Sequence, residues 1–85
     1  MFHKIKNVVP LNNLELEVEF IDGSVKLYNI NELMSKYKVF EELKNEELFK
    51  KVKVDQGGYG IIWNNKIDLA CNELWEHGVS INKKD

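Results

Sequence analysis

Residues 14–30 read LELEVEFIDGSVKLYNI. Leu14, Leu16, Val18 and Phe20 alternate with Glu15, Glu17 and Glu19. A period of two places one set on each face of an extended chain, so the spacing predicts a half-buried strand and excludes a helix. Asp22-Gly23 follows, a pair that tolerates the positive φ angles of a tight hairpin turn, and the chain should return through Val25, Leu27 and Asn29. With a two-residue loop, Phe20 faces Val25, Glu19 faces Lys26 and Val18 faces Leu27. That register gathers the apolar residues on one side and sets an opposite-charge pair on the other.

Before this hairpin, Lys4 to Val9 reads as a first short strand, and Pro10 with Asn12 and Asn13 marks a turn. After it, Asn29 and Glu32 have the spacing of a capping box, with Tyr28 and Leu33 as the flanking apolar staple, and predict a short helix over Glu32 to Tyr37. Asn31 is the alternative cap. Phe40, Leu43, Leu48 and Phe49 recur at helical spacing, and Asn45 divides that segment into two turns. Lys50, Lys51, Val52, Lys53 and Val54 return to alternation. Asp55-Gln56-Gly57-Gly58 then makes a turn and Tyr59 to Asn64 another strand. A last helix spans about Cys71 to His77, with Gly78 suited to a left-handed position after its end. The expected fold class is α+β: a small antiparallel sheet built from hairpins at about 14–29 and 51–64, with short helices packed on one face, in a single domain over 1–85.

Composition bounds the chemistry. A chain of 85 residues with 44% hydrophobic and 31% charged side chains is a folded domain too small to enclose a deep cavity. Its net charge is −2, and all 12 basic residues are lysines. Without the bidentate fork of arginine, sequence-specific reading of nucleic acid is disfavoured. One cysteine, Cys71, excludes an internal disulfide and any multi-cysteine metal site. The N-terminal MFHKIKNVV lacks the apolar core of a signal peptide and no long apolar run exists, so no membrane segment is expected and the cytoplasm is the expected compartment.

Each chemical motif meets a simpler structural reading. Gly57, Gly58 and Gly60 match neither G-x-G-x-x-G nor G-K-[ST], and they lead into a strand where a phosphate loop leads into a helix. Turn geometry and a close backbone approach at Gly60 account for them. Cys71 near a helix start could act as a nucleophile with His3 or His77 as base, but His77 lies at the far end of the same helix and a small apolar cysteine is ordinary packing material. Cys-x5-His has no zinc-ligand spacing. The glutamates at 15, 17 and 19 and at 41, 42, 46 and 47 read as solvated faces before they read as paired catalytic carboxylates. Lys50, Lys51 and Lys53 with Lys4 and Lys6 form a weak basic patch opposed by nearby acids. The aromatics are the better candidates. Tyr59, Trp63 and Trp75 are residue types that anchor protein interfaces, and any of them left exposed marks the candidate partner-binding surface.

The segments LELEVEFIDGSVKLYNI, VFEELKNEELFKKVKVD and GYGIIWNNKIDLACNELWEHG together resemble the small bacterial family known as domain of unknown function 2442. The most specific parts are F-x-D-G at Phe20 to Gly23, L-x(4)-L-F ending at Phe49, and G-x-x-W-x(4)-D-L from Gly60 through Trp63 to Asp68 and Leu69. The resemblance implies an α+β fold of antiparallel strands and short helices. It also implies a role like that of family members encoded beside small toxin-like proteins. Some relatives carry a helix-turn-helix domain after this module. The sequence ends before one, which argues against direct DNA binding. Ala70 stands where a serine is common before the last helix, leaving Asp68 as the substitute cap. The family supplies no catalytic residues to carry over.

The expected function is therefore a non-enzymatic protein-interaction domain, an antitoxin-like or adaptor component, with another protein as partner and a homodimer also open. No cofactor, metal or catalytic residue is expected. The alternative is a small ligand-binding domain or enzyme using Cys71 or the Tyr59, Trp63 and Trp75 aromatics. Non-specific nucleic-acid binding is a weaker one.

Overall fold

Glu15–Phe20 is a strand (β2), and Leu16, Val18 and Phe20 are at most 1% exposed. Burying each removes apolar surface worth about 1.5–3 kcal/mol, so this strand is the base on which the rest assembles. A computed structural model describes residues 2–81. β2 lies between β1 (Ile5–Pro10) and β3 (Val25–Asn29), both antiparallel to it. A two-residue strand β7 (Val79–Ser80) extends the sheet beyond β3 in the order β1-β2-β3-β7. A second sheet, β4-β5-β6, comprises Lys53–Val54, Gly60–Asn64 and Ile67–Ala70. The fold is α+β with antiparallel sheets and short helices, as the sequence predicts, but there are two sheets where one was expected.

The hairpin between β2 and β3 corrects the expected register by one residue. Glu19 faces Val25, Val18 faces Lys26 and Glu17 faces Leu27. The loop has three residues, Ile21, Asp22 and Gly23. Gly23 N–H donates to Phe20 O at 2.9 Å, and Phe20 N–H to Ser24 O at 2.8 Å. Gly23 has φ +94°, the left-handed position that closes a three-residue hairpin with a bulge. Asp22 Oδ1 accepts from Ser24 N–H at 2.8 Å, and that bond holds the exposed Asp22 carboxyl below its usual range. Because side chains alternate, the shift sends Lys26 to the core side with Tyr28, and Val25 and Leu27 to the glutamate side. Glu19 pairs with Lys6 at 3.9 Å instead of with Lys26.

Between the sheets the chain makes short helices. Asn31–Met34 (α1) is a single turn, shorter than the predicted Glu32 to Tyr37. Asn29 Oδ1 accepts from Asn31 N–H at 2.8 Å, but the helix has no side-chain cap bond, so the capping box does not close. A 3₁₀ segment, Lys38–Lys44, precedes α2 (Glu46–Phe49), and Asn45 divides them as predicted: its side chain accepts from Glu47 N–H and Leu48 N–H. The turn expected around Asn12 and Asn13 is present, but Pro10 is the last residue of β1, paired with Leu16, and does not belong to it. Leu14, however, leaves the strand for a 3₁₀ turn with φ +60°.

α3 (Cys71–His77) has the predicted bounds, with two corrections. Asp68 sits exposed in β6 opposite Ile62, and no side chain caps the helix. Gly78 is extended, not left-handed, at φ −76°. A Cβ there would meet Leu74 O at 2.5 Å and Lys26 Cβ at 3.1 Å, so crowding between α3 and β3 explains the glycine. The glycines between 57 and 60 likewise serve close approach. A Cβ at Gly58 would lie 2.9 Å from Ile5 O, and one at Gly60 2.5 Å from Leu69 O. One hydrophobic cluster joins both sheets and all three helices, with Leu16, Val18 and Phe20 meeting Leu33, Phe49, Ile61 and Leu74.

The Gly60 contact is with backbone, which cannot swing aside, whereas a Cβ at Gly23 meets nothing within 4 Å and costs only its conformation. Urea unfolding of Gly60→Ala should therefore show a loss of about 3 kcal/mol against about 1–2 kcal/mol for Gly23→Ala. Equal losses would contradict the close packing of β5 on β6.

Candidate functional site

The three aromatic candidates separate in the structure. Trp63, on β5, is 6% exposed. Its indole N–H donates to Phe49 O at 3.1 Å and its ring stacks with Phe49 at 6.4 Å between centroids. Its apolar body and its polar edge are both satisfied inside the core, so Trp63 is not part of a surface. Tyr59 lies outside β5, in the turn before it, with φ −87° and ψ −1°, and is 46% exposed. Its carbonyl accepts from Cys71 N–H at 2.8 Å, fixing the turn to the start of α3.

Trp75 is half-buried on α3 and organises its neighbours. Phe20 meets it edge-on at 5.0 Å, and the His3 imidazole stacks on it at 3.6 Å with only 2° between the planes. Lys26 Nζ lies 4.1 Å from its ring centre and donates to Trp75 O. That cation sits in the last turn of α3, where the helix dipole favours positive charge.

The N-terminal residues complete an aromatic corner. Ile21 N–H donates to Lys4 O at 2.9 Å, tying residues 2–4 to the hairpin turn. Phe2 meets Tyr59 edge-on at 5.3 Å, and Lys4 Nζ lies 5.0 Å from the Tyr59 ring centre. Between these residues and the turn runs an open groove of about 350 Å³, lined by Phe2, His3, Lys4, Phe20, Ile21 and Asp22. Phe2 and Ile21 are 60% and 61% exposed. Two of the candidate residues, Tyr59 through Phe2 and Trp75 through His3, thus adjoin one surface with Ile21; the sequence reading singled out neither Phe2 nor Ile21, and considered His3 only as a base for Cys71. An isoleucine inside an x-D-G turn, with no alternation partner, was the available signal for Ile21.

The chemistry considered for Cys71 has little support from its surroundings. Its thiol is 1% exposed, and Sγ is 3.9 Å from Asn72 Oδ1. The two histidines are engaged elsewhere, His3 on Trp75 and His77 through Nδ1 with Glu73 Oε2 at 3.1 Å. Glu73 Oε2 also accepts from Tyr28 O–H at 2.7 Å. Among the described residues no group of three or more His, Cys, Asp or Glu side chains is placed to hold a metal ion, and no helix is long and apolar enough to cross a membrane.

The family model described as "Protein of unknown function (DUF2442)" matches residues 5–80. No curated protein and no solved structure matches the chain.

Burial, followed by the Glu73 hydrogen bond, raises the Tyr28 phenol above its ordinary value near 10. Above that pH the folded chain keeps a proton that the unfolded chain releases. This contribution to stability is complete below about pH 10 and declines as pH rises further. Denaturant midpoints measured from pH 8 to 11.5 should fall at the alkaline end, and Tyr28→Phe should flatten that fall. An unchanged alkaline slope in Tyr28→Phe would remove the Tyr28 and Glu73 contact from the explanation.

Proposed function

The chain belongs to the DUF2442 family of proteins of unknown function, and from that premise we propose that it is a non-enzymatic docking domain that binds another protein through the Phe2, Ile21 and Tyr59 corner. The observation that carries this reading is that Phe2 and Ile21, 60% and 61% exposed, line one groove, and that Tyr59, 46% exposed, meets Phe2 edge-on beside it. Scattered exposed hydrophobes are ordinary on a small protein, whereas an aromatic cluster around a concavity marks an interaction surface. The base beneath it is held in place: Trp75 is stacked by His3, packed by Phe20 and bonded through its carbonyl to Lys26. A preformed aromatic surface loses little conformational freedom on binding, which favours affinity.

The partner is a cytoplasmic protein, and the domain acts as an adaptor or antitoxin-like component, in keeping with the relatives it resembles. Chemistry at Cys71 would need the core to open before a substrate reached the thiol, which makes the enzymatic reading the weaker one.

Affinity purification from the native host with the wild-type chain should recover a stoichiometric protein. A Phe2→Ala/Tyr59→Ala double variant should lose it by tenfold or more while keeping its circular dichroism and unfolding midpoint. About 1.4 kcal/mol suffices for tenfold, within reach of one aromatic hot spot. Recovery of no stoichiometric protein, or undiminished recovery by the double variant, would count against the reading.

A further inference from the structure

The connection between β1 and β2 forms one wall of a second groove, far from the aromatic corner in its residues. It faces the two ends of α2 across about 530 Å³, and Phe49, only 5% exposed, lies at the base. That volume is in the range of small-molecule sites. The wall carries a backbone geometry that side chains avoid: Asn13 and Leu14 have φ +63° and +60°, and no other non-glycine residue among those described has a positive φ. Three bonds hold it there. Leu11 N–H donates to Glu15 O at 2.8 Å, Ile30 N–H to Leu14 O at 2.9 Å and Asn31 Nδ2 to Asn13 O at 3.2 Å. Strained backbone that its surroundings enforce is a recurrent feature of ligand clamps, and here both strained residues line the groove.

Charge says what the groove suits. Lys44 and Lys50 stand on its rim against the single acid Glu46, a positive surplus in a chain of net charge −2. The groove at the aromatic corner balances Lys4 with Asp22, and a third, beside Glu15 and Glu32, is acidic. Neither the Lys44 nor the Lys50 ammonium is taken up by an ion pair or hydrogen bond among the described residues, so both are free for a ligand.

We propose that this groove binds a small organic anion, a phosphate ester or a carboxylate carried on an apolar body. The two lysines meet the anionic head as point charges, and Leu11, Leu14 and Phe49 cover the body. Asn12 and Asn13 line the same space with amides that both donate and accept. Glu46 gives the ligand a direction, because it repels the head from its own end of the groove and accepts from a hydroxyl or amine on the body. None of Phe2, Ile21 and Tyr59 takes part, so this site and the docking corner can fail separately.

The test is titration of the ¹⁵N-labelled chain with phenyl phosphate, benzoate, inorganic phosphate and benzyl alcohol. Phenyl phosphate or benzoate should give saturable shifts at the amides of Asn12, Asn13, Leu14 and Phe49 at millimolar concentration, weakened by added salt. The tighter of the two names the head, phosphate or carboxylate. Inorganic phosphate, which lacks the body, and benzyl alcohol, which lacks the charge, should each bind at least tenfold more weakly. Lys44→Gln/Lys50→Gln should lower the affinity about tenfold, whereas Lys51→Gln/Lys53→Gln, which removes the same charge outside the groove, should leave it unchanged. All four lysines are exposed, so both variants should keep the fold. The proposal is overturned if neither organic anion shifts these amides, or if inorganic phosphate or benzyl alcohol binds as well as they do. Equal losses in the two lysine variants would overturn it too, since binding would then follow net charge and not the groove.

Discussion

The register of one hairpin governs most of this molecule. A left-handed glycine at Gly23 closes a three-residue loop, and the pairing that follows puts Val18 opposite Lys26 and Glu17 opposite Leu27. Had the loop been two residues long, Val25 and Leu27 would have joined Phe20 and Val18 inside, and Lys26 would have faced water beside Glu19. The observed register instead turns a lysine toward the core side. There its ammonium lies over Trp75 and accepts no burial without partners, since Trp75 O receives one of its protons. Close passage of the helix also explains an extended glycine at 78, because a Cβ there would collide with Leu74 O.

The same shift determines what is left outside. Two aliphatic side chains moved onto the glutamate face give it the mixed acidic and apolar character that a fully polar outer face would lack, and β7 adds Val79 there. On the other side, fixing Trp75 between β3 and the N-terminal residues creates a platform against which His3 stacks, and Phe2 and Ile21 remain exposed above it. Core and surface are therefore one consequence of a turn, and neither can be altered at Gly23 without the other.

Much of the architecture was legible in the sequence, and the errors have local causes. The alternation from Glu15 to Phe20 outweighs every competing signal, because six residues of strict period two have only one extended reading. Asn45 was legible because a short polar side chain between two helical stretches has a single good use, accepting from the N–H groups of the next turn. Loop length was not legible. Asp-Gly serves two-residue and three-residue hairpins alike, and only the packing of Lys26 against α3 separates them. β6 was missed although Ile67 and Leu69 alternate with Asp68, since four residues beside a helix give too short a pattern. β7, two residues long, has no local signal at all and exists because Gly78 delivers the chain to the edge of β3.

The surface was harder to read than the core for a physical reason. Burial imposes periodicity, so core positions repeat and announce themselves, whereas an interface draws residues from wherever the chain happens to pass. Tyr59, Trp63 and Trp75 were chosen by residue type, and type cannot separate a tryptophan whose N–H is satisfied by Phe49 O from one that supports a surface. Phe2 and Ile21 come from the start of the chain and from a turn, far apart in sequence and brought together where the β1-β2 pairing ends and Ile21 N–H donates to Lys4 O. That bond depends on the path of residues 2–4, which the stacking of His3 on Trp75 helps to hold. The corner thus rests on the same indole that the hairpin register placed, and a surface assembled in this way could be recognised only after the register was known.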